Sequence, residues 1–392
     1  MFFLFICQIK WITKMKRFDA IRPFYDTEIN DGILKVIDHP MMKALMNFCF
    51  PKVEDEIWKE QLKKTHSIRD FQCNFIYYGV KQVLEKSSEG LTTSGFEKLD
   101  NNTSYLYISN HRDIVLDTTL LNASLFEHGK LMTSSAIGDN LVKKPFLRIL
   151  AKLNRNFLVQ RGLAPRELLV SSKLLSEYMA QLMLHENRSV WIAQREGRTK
   201  DGNDETNPAV LKMIGMGSDE QNLMDYFKKI KVVPVSISYE YDPTDALKMP
   251  QLMAENNNEI YIKEKNEDIM TLLSGIIGQK KRIHIHIGDI LETEIDDIKA
   301  NYDTTNKQIQ ALAQVIDDSI LGNYKLWPTN YIAYDILHKT TKYQHLYTEN
   351  EKSLFERRLE MRIDHCNPFA LQSFLAMYAN PVVNKLKYEN VI

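Results

Sequence analysis

A histidine and an aspartate, His111 and Asp117, stand close together in the polar run Asn110-His111-Arg112-Asp113 and the segment that follows it. An imidazole oriented by a carboxylate can take a proton from a substrate hydroxyl with its other nitrogen, and such base catalysis contributes roughly 100 to 10,000-fold. No protein nucleophile is needed if the substrate's own hydroxyl attacks. Asp117 is the preferred partner of the ring, with Asp113 as the alternative. The plainer reading of His111 is a hydrogen-bonded turn residue.

A second cluster, Gln194-Arg195-Glu196-Gly197-Arg198-Thr199, follows another apolar run. Guanidinium forks match phosphate oxygens in pairs, and glycine lets the backbone come close, so this loop can cradle a phosphate. The plainer reading is a solvated charged loop. A third stretch, Lys143 to Arg166, holds seven basic residues and no acidic one. In a chain of net charge -1 this is a local asymmetry suited to anionic head groups or to the phosphates of a donor. Phe146, Leu150 and Leu153, spaced four and three apart, predict a basic amphipathic helix within it. The fourth stretch, Val232 to Tyr239, reads as a core strand, with acyl-chain lining as its functional reading. Its proline would restrict ladder pairing to an edge or a strand start.

The elements that must position these residues alternate. Tyr105 to Ser109 reads as a strand, Ile114 to Phe126 as a helix, Phe157 to Val159 as a strand and Arg166 to His185 as a long helix. Further strands are expected at Ser189 to Ala193, Val232 to Tyr239 and Arg282 to Ile287. About five strands separated by helices make an α/β fold with a mixed central sheet flanked by helices. Ligands of such folds gather where strands end and helices begin, which is where His111 stands. Leu91 to Asp100 reads as a connector. The expected organisation is a helical N-terminal region over 1–90, an α/β domain over 91–291 and a helical C-terminal region over 292–392.

In order and spacing the four stretches resemble the four blocks of the glycerolipid acyltransferase family, which includes the lysophosphatidic acid and glycerol-3-phosphate acyltransferases. Asn110 to Asp117 is similar to the first block, Asn156-Phe157-Leu158-Val159-Gln160-Arg161-Gly162 to the second, Gln194 to Thr199 to the third and Val233 to Ile237 to the fourth. The resemblance covers about Tyr105 to Tyr241. It implies that His111 and Asp117 are catalytic, and that Asn110, Arg112, Asp113, Arg161, Gly162, Arg195, Glu196, Gly197 and Arg198 bind substrate. It further implies an acyl-CoA or acyl-carrier-protein thioester as co-substrate, with no cofactor and no metal. The acceptor would be 1-acyl-glycerol-3-phosphate, with glycerol-3-phosphate, a lysophospholipid or an amino-acid lipid as alternatives. Departures are visible. Five residues separate His111 from Asp117 where the family has four, Gln160 stands where arginine is common, and Ala193-Gln194-Arg195 replaces a usual Phe-Pro before Glu-Gly.

Other classes fit less well. The string His111-Arg112-Asp113 matches the start of a kinase catalytic loop, but the required asparagine is Thr118 here, and there is no Gly-rich phosphate loop. No G-x-S-x-G elbow is present for a serine hydrolase. His284 and His286 share one face of a strand, without a third ligand at metal spacing. Nucleic-acid binding has no support. A non-catalytic lipid-binding protein on the same fold is the alternative from another class. Four scattered cysteines without C-x-x-C spacing argue against zinc and disulfides and for a reducing compartment. Met1 to Ile12 is too short and too interrupted to span a bilayer. Translation starting at Met15 is the preferred reading of this end, and a short interfacial anchor is the other. A peripheral position on the cytoplasmic face of a membrane follows as the expected location.

Overall fold

The computed structural model describes residues 15–364 and 366–389. The expectations for Met1 to Ile12 and for the start at Met15 concern residues 1–14, which lie outside the described residues.

Seven strands form one sheet: β1 (Ser88–Ser94), β2 (Leu106–Ser109), β3 (Ser134–Gly138), β4 (Asn156–Val159), β5 (Val190–Ala193), β6 (Val232–Tyr239) and β7 (Lys281–Ile287). Their spatial order is β1-β7-β6-β2-β5-β3-β4. Strands β2 to β6 run parallel to one another. β7 pairs antiparallel with β6 and parallel with β1, so the sheet is mixed. The expected fold class is the one observed. β2 lies at its centre, with β5 on one side and β6 on the other. The chain leaves β2 for β3 on the β5 side and later returns to β6 on the opposite side. The carboxyl end of β2 is therefore a switch point, where adjacent loops part and leave a crevice.

Five strands were expected and two more are present. β3, Ser134-Ser135-Ala136-Ile137-Gly138, is built of small and polar residues and so lacks a strand signature. β1 overturns the expectation of a connector from Leu91: it is a polar, half-exposed edge strand that borrows its order from pairing with β7. Pro234 lies on an interior strand rather than at an edge. It is tolerated because the ladder to β7 begins only at Val235.

Helices cover the sheet. Five of them matter below: α1 (Leu116–Glu127), α2 (Pro145–Leu153), α3 (Pro165–His185), α4 (Asp245–Asn256) and α5 (Glu267–Ile277). The main core is continuous from the N-terminal helices through the sheet, joining Phe18, Ile33, Met46 and Trp58 to Leu106, Phe157 and Val232. The basic helix expected around Phe146 is α2, but its apolar face is turned inward. Phe146, Leu147, Ala151 and Leu153 are buried, and Phe146 stacks on His39 at 4.3 Å. That face belongs to the core and is not free to meet a membrane. C-terminal helices at Pro328–His338, Glu349–Arg362 and Pro368–Glu389 form a further core around Phe355, Phe374 and Tyr378. Among the described residues no helix is long and apolar enough to cross a membrane.

Candidate active site

The apolar side chains of β2 are fully buried, and the chain must then turn out of the sheet at Asn110. Asn110 makes this turn rigid. Its side-chain amide donates to the carbonyl of Ile237 at 2.9 Å and accepts from the same residue's N–H at 2.8 Å, as a peptide unit of β2 would. Trp191 Nε1 donates to Ser109 Oγ, which donates in turn to the carbonyl of Asn110. The Trp191 and His111 rings also pack edge to face, with centroids 5.4 Å apart.

His111 Nδ1 lies 2.7 Å from Asp117 Oδ2, so Asp117 is the partner of the ring. The additional residue between them is absorbed as a tight loop. Asp117 Oδ2 also accepts the backbone N–H groups of Arg112 and Asp113 at 2.7 and 3.1 Å, which wraps the loop around one carboxylate. Asp113 plays a different part, since its Oδ1 accepts from the N–H groups of Val115 and Leu116 and caps α1. Burial pushes the Asp113 carboxyl up, with the charge on Asp117 adding to it. A Cβ on Gly275 of α5 would collide with the Asp113 carboxylate, so the small residue there permits this close packing.

Tyr239, at the end of β6, donates from its hydroxyl to Asp117 Oδ1 at 2.8 Å. Burial, aided by Asp117 and Asp113, holds its own pKa well above the usual value and keeps it a donor. Asp117 is fully buried and accepts four hydrogen bonds. It therefore fixes the tautomer of His111 with Nδ1–H toward the carboxylate and Nε2 on the opposite edge of the ring.

The loop after β5 is sewn to the His111 loop. Gln194 N–H donates to the carbonyl of Ser109 at 2.9 Å, and Thr199 N–H to that of His111 at 2.8 Å. The buried ammonium of Lys248, on α4, adds a third tie. It donates to the carbonyls of Thr199 at 2.9 Å and Arg112 at 3.4 Å, and pairs with Asp242. Arg112 pairs with Asp204 from the same loop and lies 5.6 Å from the Tyr324 ring centroid. Burial works against its charge, but Asp204, Tyr324 and nearby carboxylates more than offset this and hold the guanidinium above its usual range.

These contacts sort the expected residues. His111, Arg161, Gly162, Arg195, Glu196, Gly197 and Arg198 are carried by loops at the carboxyl ends of β2, β4 and β5, and Asp117 by the first turn of α1. Arg161 Nη1 meets Glu196 at 2.5 Å, which joins the β4 loop to the β5 loop. Gly162 and Gly197 both adopt positive φ, 69° and 74°, as the tight turns beside the arginines require. Arg198 reaches Thr244 at 3.2 Å and Arg195 the carbonyl of Asn203 at 3.5 Å; both remain partly exposed. Asn110, Arg112 and Asp113 are all buried and engaged by the protein itself, so they position the histidine loop. His284 and His286 bond to hydroxyls of β1 through Thr92 and Ser94. Among the described residues no group of three or more His, Cys, Asp or Glu side chains could hold a metal.

Sequence reasoning missed Tyr239, Lys248, Asp204 and Asp242. Only Tyr239 left a signal, because it continues the inward-facing alternation Val233, Val235, Ile237 of its strand. The ties of the other three cross long stretches of chain, which periodicity cannot reveal.

A histidine–aspartate pair at a sheet switch point, with arginines on two adjoining loops, has the chemistry to take a proton from a hydroxyl and to hold an anion. Residues 90–238 match the family model described as Acyltransferase, so the chain carries an acyltransferase domain. The matched residues contain all four blocks that resemble the glycerolipid acyltransferases. Among solved structures it is similar to the 1-acyl-sn-glycerophosphate (LPA) acyltransferase PlsC from Thermotoga maritima. The TM-score is 0.37 and the identity 11%, over 75% of this chain and 94% of that one. No curated protein matches the sequence.

Proposed function

We propose that this enzyme transfers a fatty acyl group from an acyl-CoA or acyl-carrier-protein thioester to the free hydroxyl of a glycerophospholipid precursor at a membrane surface, with 1-acyl-glycerol-3-phosphate as the acceptor. The observation that carries the reading is the His111–Asp117 pair, held by four donors to a buried carboxylate beside Arg161, Arg195 and Arg198.

His111 Nε2 takes the proton of the acceptor hydroxyl as its oxygen attacks the thioester carbonyl. Asp117 stabilises the imidazolium that forms. The tetrahedral intermediate collapses with loss of the thiolate, which takes the proton back from His111. The acyl oxygen ester and a free thiol result, and the histidine is restored. Arg161 and Arg198 hold the phosphate of the acceptor, which converts a bimolecular encounter into an oriented one. Their partial exposure supports this role, since a buried, fully paired guanidinium has no donors left to offer.

The test is to offer lysophosphatidic acid, glycerol-3-phosphate and lysophospholipids to the purified enzyme with radiolabelled acyl-CoA and then acyl-carrier protein. One acylated glycerophospholipid, with lysophosphatidic acid the best acceptor, is expected. No product from any pairing, with folded protein, refutes the reading.

A further inference from the structure

The helix α3 is unusual in where it is buried. It runs 21 residues from Pro165 to His185, yet its buried side chains begin only at Leu175. The turns before that carry Leu168, Leu169 and Val170, which are 49, 62 and 67% exposed. Helices in proteins owe most of their stability to packing of an apolar face, and contiguous exposed apolar side chains mark a surface that meets something.

The surroundings say what it meets. From Lys143 to Lys173 the chain carries eight basic residues and one acid, Glu167. That acid is turned back onto the N–H of Ala164 at 3.3 Å. Lys143, Lys144, Arg148, Arg166 and Lys173 are exposed, and none of them forms an ion pair among the described residues. The two parts of this surface adjoin, because Arg161 N–H donates to Asp139 Oδ1 at 3.1 Å and so fixes the loop before α3 against the turn that leads into Lys143. We infer that the start of α3 and the basic surface around it seat the enzyme on an anionic lipid bilayer, with Leu168, Leu169 and Val170 inserted among the acyl chains and the lysines and arginines on the head groups. The inference deepens the lipid-acceptor reading: Arg161, on the loop entering α3, would then meet an acceptor phosphate at head-group level.

A second exposed apolar face, Met270, Leu273 and Ile277 on α5, serves as the comparison. It is bordered by Glu264, Glu267 and Asp268 as well as Lys263 and Lys265, so it lacks the basic complement that an anionic surface requires.

The experiment uses the full chain with vesicles of phosphatidylcholine alone or mixed with phosphatidylglycerol. Wild type should co-sediment with the mixed vesicles, and less so as salt rises. Leu169→Gln/Val170→Gln should weaken this by about tenfold or more, on the scale of losing two inserted side chains. Met270→Gln/Ile277→Gln should leave it unchanged. In Leu169→Trp, the indole emission should shift to the blue on adding mixed vesicles. Activity on a short-chain, water-soluble acceptor should survive Leu169→Gln/Val170→Gln while activity on vesicle-borne acceptor falls, which separates loss of docking from loss of chemistry. Vesicle binding within twofold of wild type for that double variant overturns the inference. So does an unshifted tryptophan, or retention of an acidic acyl carrier protein by this surface with no response to vesicles. Should no acceptor be acylated by wild type, the functional reading fails, while the sedimentation and emission results still decide the docking surface.

Discussion

The two sides of the crevice are built differently. On the β2 side the groups that hold the histidine are tightly engaged: the Asn110 amide replaces ladder bonds, Asp117 accepts four hydrogen bonds, and Arg112 and Lys248 are buried in ion pairs. On the β4 and β5 side the arginines are partly exposed, meet an exposed glutamate or single oxygens, and stand on glycine turns. The proposed base and its carboxylate are held in a preorganised frame, where reorganisation would cost rate. The arginines proposed to hold the acceptor sit on loops that can be re-cut without disturbing that frame.

The sharpest way to break this contrast is Asp117→Asn. The histidine loop would lose its charged centre and the ring its tautomer, so kcat should fall by about 100 to 10,000-fold in the radiolabel assay. Loss of less than tenfold would mean that the frame is not organised for catalysis. Next in size, Arg161→Ala and Arg198→Ala should raise KM for a phosphate-bearing acceptor by about 10 to 100-fold each, with kcat changed little. A phosphate-free acceptor should show no such rise, and an equal fall in kcat for both would place these arginines on the chemical side of the division. Tyr239→Phe removes one of the donors to Asp117 without changing shape. A loss of about tenfold in kcat at nearly constant KM is expected, from the worth of a hydrogen bond to a charged group.

The smallest effect concerns the frame's outer support. Asp317, on the C-terminal helix Thr305–Gly322, accepts from the N–H of Thr206 at 2.8 Å and ties down the loop that leads away from Thr199. Burial pushes its carboxyl up from 3.8 to about 7. Between those values the folded protein holds a proton that the unfolded chain releases, so this group's contribution to stability declines as pH rises from about 4 towards 7. Asp317→Asn keeps an acceptor for Thr206 and should remove that decline. In urea at pH 8 the variant should be more stable by about 1–2 kcal/mol, and equally stable or less so at pH 4.

The dyad was legible in the sequence because a polar cluster at the end of an apolar strand is a local signal. The preference for Asp117 over Asp113 agrees with the geometry, although the sequence could not show how the longer spacing is accommodated. It is accommodated by Asp113 capping α1 while two backbone N–H groups fold onto Asp117, a loop conformation that no periodicity encodes. The strands rich in branched and aromatic residues could be read, whereas β3 and β1 could not, since small and polar residues form strands only when neighbours dictate it. The amphipathic pattern of α2 was real, but a pattern does not say what it faces: here it faces the core, and the exposed apolar residues lie on the next helix. Asn110, Arg112 and Asp113 pose a related difficulty. Polar residues beside a catalytic histidine look alike in sequence whether they meet substrate or hold the loop.

The central claim is that His111 is the base that activates the acceptor. Single-turnover acyl transfer from labelled donor to lysophosphatidic acid, by wild type and by His111→Ala at saturating acceptor, tests it most directly. A loss of about 100 to 10,000-fold in the rate of the chemical step is expected, with retained affinity for acceptor. A rate within fivefold of wild type would contradict it.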